Sequence, residues 1–176
     1  MHDRLWAWFV AVDEDRSGWI TARELEAALR NGDWTPFDLD TVKLLMSLFD
    51  VDRNGKIGFN EFQGLWKYIK ASDWQNAFRH FDRDRSGTID ANELRSALSQ
   101  FGYNLSSHLI NLVQRKYSSS IDVYGHYPSG ITFDRFVRAC VVIKQLTEAF
   151  ERLDIHRTGV IQIDYDQFMS TVLSLP

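Results

Sequence analysis

The stretch "FDRDRSGTIDANEL", Phe81 to Leu94, decides the fold. It sets Asp82, Asp84 and Ser86 at alternate positions, then Gly87, Thr88, Ile89 and Asp90, and reaches Glu93 six residues after the glycine. Short oxygen-bearing side chains on a backbone turned by glycine converge on one point. The same layout returns in "VDEDRSGWITAREL" from Val12 and "FDVDRNGKIGFNEF" from Phe49. Weaker copies overlie the chain from Ser118 and "LDIHRTGVIQIDYDQF" from Leu153. The loops start at Asp13, Asp50, Asp82, Ser118 and Asp154, which stand 37, 32, 36 and 36 residues apart, so the chain is a repeat of five units.

The flanks are helical in pattern. "ARELEAALR" and "ANELRSALSQF" carry apolar residues three and four apart. Glu61 to Phe81 has no proline and one glycine, Gly64, and reads as one long connecting helix, with Ser72 and Asp73 as a kink or a fresh cap. Phe133 to Leu153 joins loops four and five, with Phe136, Cys140, Ile143, Leu146, Phe150 and Leu153 inward. The expected fold is all-α: five helix–loop–helix units, about eight helices, with short paired strands in the loops. One domain covers 1–176, with hands near 5–31, 38–69, 74–101, 107–145 and 146–176.

Composition sets the function class. The chain has 176 residues, 44% hydrophobic and 14% aromatic, enough for a real core. Net charge −4, with scattered Lys and Arg, gives no footprint for nucleic acid. Cys140 is the one cysteine, so no internal disulfide forms and a packed thiol is expected. The longest apolar run, Leu5 to Val12, falls far short of the roughly 20 residues of a membrane span, and its flanks are not those of a secretion signal. The expected location is the cytoplasm. The five histidines are scattered, and no Ser/His/acid set, phosphate loop or zinc spacing points to an enzyme.

The loop spacing is that of the EF-hand, whose ion is calcium. A hard cation taking six to eight oxygens needs many short arms from one turn. In loop three Asp82, Asp84 and Ser86 fill positions one, three and five. Thr88 offers its carbonyl, Asp90 holds a water, and Glu93 binds through both oxygens. Loop one assigns these roles to Asp13, Asp15, Ser17, Trp19, Thr21 and Glu24. Loop two assigns them to Asp50, Asp52, Asn54, Lys56 and Glu61, with a bare Gly58 at position nine. In loop five His156, Thr158 and Tyr165 stand at positions three, five and twelve, so calcium there is expected to be weak or absent. Loop four, Ser118 to Arg135, has eighteen residues and one acid before Ser129, Asp122, and holds no divalent cation. Ile20, Ile57, Ile89, Ile131 and Ile161 are the expected strand residues by which loops pair, so loop four is kept as the partner of loop three.

Five such hands with shared long helices resemble the penta-EF-hand family. The likeness covers essentially the whole chain, and "WTPF", "LWKYI", "DWQNAF", "ALSQFGY" and "LTEAF" look closest to its apoptosis-linked adaptor branch. The resemblance implies an eight-helix fold, a dimer and calcium-dependent binding of Pro-rich segments of partner proteins. It places the peptide in an aromatic groove at Trp66, Ile69, Trp74, Phe101 and Tyr165. An unpaired fifth hand also favours a homodimer, or a heterodimer with another penta-EF-hand chain. Contact with membranes is at most peripheral, with calcium-driven recruitment to membranes or the nucleus. Family members carry a Gly/Pro-rich tail before the first hand; here the first helix is expected within a few residues of Met1, a departure that leaves tail-dependent membrane or partner contacts open. "KYIKASDWQ" is about two residues longer than the branch pattern, which shifts Trp74 relative to Trp66. The alternatives are a calcium buffer and a regulatory subunit of an enzyme.

Ligand charge orders the sites as three, one, two, with the first two in the micromolar range. Replacing Glu24 and Glu93 together by Ala is expected to abolish tight calcium uptake in a titration; unchanged uptake would contradict the ligand assignment.

Overall fold

The computed structural model describes residues 2–32, 34–70, 72–118 and 130–174. Hand one is α1 (His2–Val12) and α2 (Ala22–Ala28), and hand two is α3 (Leu39–Ser47) and α4 (Phe59–Lys70). Hand three is α5 (Ser72–Phe81) and α6 (Ala91–Gln100). Hand four is α7 (Ser107–Tyr117) and the first part of α8 (Phe133–Leu153), whose end feeds hand five and α9 (Tyr165–Leu173). Counting α4 and α5 together as the connector between loops two and three gives the expected eight helices among the described residues. Ala71, where continuity or a kink would be decided, lies outside the described residues, as does most of loop four.

The helices start where the sequence supplies a cap. Thr21 and Asp90 accept from the N–H groups of Glu24 and Glu93, whose carboxylates reach back to the cap N–H, two reciprocal capping boxes. Each box closes a loop and opens a helix with the same pair of residues. The loops then pair as expected. Ile20 and Ile57 exchange two 2.9 Å hydrogen bonds, and Ile89 and Ile131 exchange two of 2.8 Å. A Cβ on Gly130 would collide with the side chain of Thr88, so this close approach requires a glycine there.

Two cores result. Phe9, Leu25, Leu45, Phe62 and Leu65 fill one between hands one and two; Phe81, Leu94, Leu98, Ile110 and Phe136 fill the other between hands three and four. Helix α8 serves both: Val137 and Val141 enter the first, Phe136, Ala139, Cys140 and Ile143 the second. Trp74 and Phe133 pack against both cores. The polar seam is equally specific. Asp134, 1% exposed, accepts from the Asp38 N–H and the Thr132 hydroxyl, each at 2.6 Å. Its own N–H donates to Asn31 Oδ1 at 3.0 Å.

The expected inward stripe of α8 holds only in its first part. Leu146 and Phe150 are 49% and 37% exposed. Beyond Ile143 the helix leaves the second core, and none of the described residues of α9 is buried. Among the described residues the fifth hand thus keeps an exposed apolar face. Asp134→Ala, which orphans the Asp38 N–H, is expected to lower the thermal midpoint by about 2–12 °C, and Asp134→Asn by less. A melting scan with unchanged midpoints would contradict the role given to this seam.

Candidate metal centres

Each acidic loop is built on its first aspartate. Asp13 accepts from the N–H groups of Ser17 (3.0 Å) and Gly18 (2.8 Å). Asp50 does so for Asn54 and Gly55, and Asp82 for Ser86 and Gly87. For these N–H groups to point inward, the backbone turns left-handed at positions four and six. Gly18, Gly55, Gly87 and Gly159 have φ between 76° and 81°. Arg16, Arg53, Arg85 and Arg157 at position four have φ of 52° to 57°, a conformation that costs a non-glycine residue roughly 1–2 kcal/mol.

The twelfth residue ties the far end of the loop to its beginning. Glu24 accepts from the N–H groups of Glu14 (3.1 Å) and Thr21 (2.8 Å). Glu61 accepts from Val51 and Gly58, and Glu93 from Arg83 and Asp90, all at 2.8–3.0 Å. The outcome is three preassembled clusters: Asp13, Asp15 and Glu24; Asp50, Asp52 and Glu61; Asp82, Asp84 and Glu93. In each, one carboxylate oxygen per residue lies within 4.8 Å of the others. Ser17 and Ser86 donate to the carbonyls of Trp19 and Thr88 at 3.0 Å, which brings the position-five and position-seven oxygens together. A set of carboxylate, hydroxyl and carbonyl oxygens on one turn fits a hard cation, and calcium is the ion of these loops. The Asn54 side-chain amide donates through Nδ2 to Asp52 at 2.8 Å, and its Oδ1 accepts from the Lys56 N–H at 2.8 Å.

Loop two shows why its ninth position is bare. A Cβ on Gly58 would lie 3.0 Å from Cζ3 of Trp19, so the indole of loop one covers the place where a ligand side chain would stand. Trp19 thus acts through its side chain, beyond the carbonyl that position seven offers. It is 39% exposed and lines a cavity of about 620 Å³ with Leu48, Phe49, Asp52 and Glu61.

Loop five differs in register from its expected form. Helix α9 is capped by Asp164 and Gln167, which form a capping box, so these two residues hold the places that Thr21 and Glu24 hold in loop one. The loop therefore runs two residues longer than twelve, and Ile163 rather than Ile161 precedes the cap. A neutral amide, not the Tyr165 phenol, takes the position of the bidentate glutamate. Among the described residues neither isoleucine joins a ladder.

The aromatic positions separate. Trp74 and Phe101 share a cavity of about 280 Å³ with Tyr68, Ala77, Tyr103, Cys140, Val141 and Lys144. Trp66 instead meets Trp8 and Phe62 in tilted contacts, at ring distances of 5.1 and 5.4 Å, and Ile69 is buried in the first core. Tyr165, 74% exposed, opens α9 and is not on the lining of that cavity. Tyr68, Tyr103 and Cys140 are among the six wall residues that sequence reasoning did not assign to it. Burial pushes the Cys140 thiol up to about 12, which makes it a packing group rather than a nucleophile.

Comparisons with known proteins bear on the whole chain. The EF-hand domain pair profile matches residues 5–67, and an EF-hand domain profile matches 73–102. Sorcin from Mus musculus is 38% identical over 177 residues, covering 98% of this chain and 84% of its own. Sorcin from Schistosoma japonicum is 42% identical over 167 residues, covering 95% and 92%. Peflin from Xenopus laevis is 36% identical over 164 residues, 93% of this chain; the chain spans 56% of that peflin's length. A solved structure of a homolog of programmed cell death 6 protein from Leishmania major Friedlin superposes with a TM-score of 0.76 at 32% identity, covering 98% and 94% of the two chains.

Asp15 and Asp84 are held below the ordinary aspartate range, first by the side chain and then by the N–H of Ser17 and Ser86 respectively. Asp154 is lowered by the N–H groups of Thr158 and Gly159. Depressed carboxyls add stability above their unfolded value, roughly pH 4, and lose it as pH falls through the lower folded value. Carboxyl NMR titration of the calcium-free chain is expected to show all three midpoints below those of unfolded aspartate. Midpoints at or above that value would contradict the hydrogen-bonded loop geometry.

Proposed function

This chain belongs to the penta-EF-hand family, and from that premise we propose that it is a calcium sensor and adaptor. Calcium enters loops three and one, with loop two as a third site, through the residues of the three carboxylate clusters. One observation carries the reading: both helices of hand three wall the apolar cavity. Trp74 and Ala77 come from α5, and Phe101 caps α6. An ion that draws Glu93 toward Asp82 and Asp84 changes the angle between those helices, and with it the cavity.

The occupant is a Pro-rich segment of a partner protein. Such a segment is already extended, loses little entropy on docking and suits a wall of Trp, Phe and Tyr. The chain acts by binding rather than by catalysis, in the cytoplasm, and moves to membranes or the nucleus with its partners and calcium. No helix among the described residues is long and apolar enough to cross a membrane. Two copies join through the fifth hand, whose Phe168, Val172 and Leu173 are 45% to 75% exposed. A bridge between two partners follows from that dimer. A regulatory subunit would use the same face for a different chain, and a stoichiometric partner that displaces self-association would identify it.

An apolar-surface dye is expected to brighten as calcium, but not magnesium, rises through the micromolar range. A flat signal while calcium binds would favour a buffer. Trp74→Ala in the calcium-bound chain is expected to weaken a Pro-rich peptide at least about tenfold with calcium uptake intact. Retained peptide affinity would remove the cavity from the binding site.

A further inference from the structure

The fourth loop has no acid at its first or last position, Ser118 and Arg135, yet it is the ladder partner of calcium loop three. Arg135 stands three residues after the cap of α8, at the place that Glu24, Glu61 and Glu93 occupy in the acidic loops. Those glutamates reach the beginning of their loops by accepting the N–H of the second residue. Arg135 reaches the beginning of its own loop with the polarity reversed. Its Nη1 donates to the carbonyl oxygen of Ser118, the first residue of loop four, at 2.7 Å. Its Nη2 donates to Asp38 Oδ1 at 3.3 Å, and the guanidinium side chain is 23% exposed.

The consequence for α8 is visible at its cap. An arginine cannot accept the cap N–H, and Thr132 makes no side-chain cap bond, in contrast to Thr21 and Asp90. The chain forgoes a capping box here and gains a link across seventeen residues of sequence. The link does not stop in hand four. Asp38 is the cap of α3, accepts from the Thr41 N–H at 3.2 Å and also holds Arg138 Nη1 at 3.0 Å. A planar guanidinium with several fixed donors can serve a carbonyl and a carboxylate together, which an ammonium does less well.

We propose that Arg135 is the built-in cation of the fourth hand, a positioning residue that holds the ladder partner of site three in place at any calcium concentration. In the acidic loops the join between helices depends on an ion for its full strength. In hand four the positive charge belongs to the chain, so Ile131 offers Ile89 a fixed edge both before and after calcium arrives. The effect on site three rests on that loop binding calcium; the link itself does not.

Hydrogen exchange of the full chain, with and without calcium, tests the link directly. In the wild-type protein, segments 112–118 and 130–138 are expected to exchange within about twofold of each other in the two conditions. Arg135→Ala is expected to speed both segments about tenfold or more, a change of about 1.4 kcal/mol, and Arg135→Lys to restore part of the protection. Calcium-dependent protection of these segments in the wild type, a result independent of whether any variant folds, would overturn the proposal. So would unchanged exchange in Arg135→Ala. Site three is then titrated alone, in a Glu24→Ala/Glu61→Ala background, and site one alone in Glu61→Ala/Glu93→Ala. Arg135→Ala is expected to weaken site three about three- to tenfold and to leave site one within about twofold. Equal loss at both sites would show a general destabilisation and count against a positioning role. Absence of calcium at site three in its own background would sink the sensor reading, with the exchange data still deciding Arg135.

Discussion

The glutamate at the twelfth position of each acidic loop is the joint on which this structure depends. It belongs at once to the loop, as its last ligand, and to the following helix, as the third residue after the cap. Glu24, Glu61 and Glu93 each hold the second and ninth N–H groups of their loops. A cation that pulls on such a glutamate therefore pulls on a helix. Without that shared residue the acidic loops would be surface chelators with no means of moving anything.

What those helices carry differs between the two ends of the chain. Hands one to four are joined by two isoleucine ladders and by α8, which contributes residues to both cores. A change at one loop has packed neighbours to act on, because interiors at crystal density shift as units. Trp19 over Gly58 ties loop one to loop two more closely than the ladder alone. The fifth hand is the exception. Its loop has a neutral Gln167 in place of the bidentate acid, and none of the described residues of its outgoing helix is fully buried. Its exposed Phe168, Val172 and Leu173 are the basis for the contact proposed there.

Most of the fold was legible because the EF-hand repeats one stereochemical solution. The glycine at position six, the isoleucine before the cap and the acid at position twelve are separate constraints at fixed offsets, and three loops satisfy all of them. Loop five was misread in register because Gly159 and Ile161 fit the pattern, while the stronger local signal lay two residues on: the Asp164 and Gln167 capping box. The exposed end of α8 escaped for another reason. Leu146 and Phe150 continue the helical stripe, and periodicity reports an apolar face without saying what covers it. The groove residues divided likewise: Trp74 and Phe101 meet at a cavity, whereas Ile69 and Trp66 are used in packing hands one and two. Pairings across the chain, such as Asp134 with Asp38 and Arg135 with Ser118, leave no trace in local sequence at all.

Calcium at loop three is held to move α5 against α6 and so remodel the Trp74–Phe101 cavity. Spin labels at Asn76 and Ser99, on the full chain with Cys140 replaced by Ala, would report the distance between these helices by pulsed electron resonance. The account requires the distance distribution to shift between calcium-free and calcium-bound protein, and to stay at the calcium-free value when Glu93 is replaced by Ala. A distribution indifferent to bound calcium would mean that the ion fills the site without moving the helices, and the chain would be a buffer.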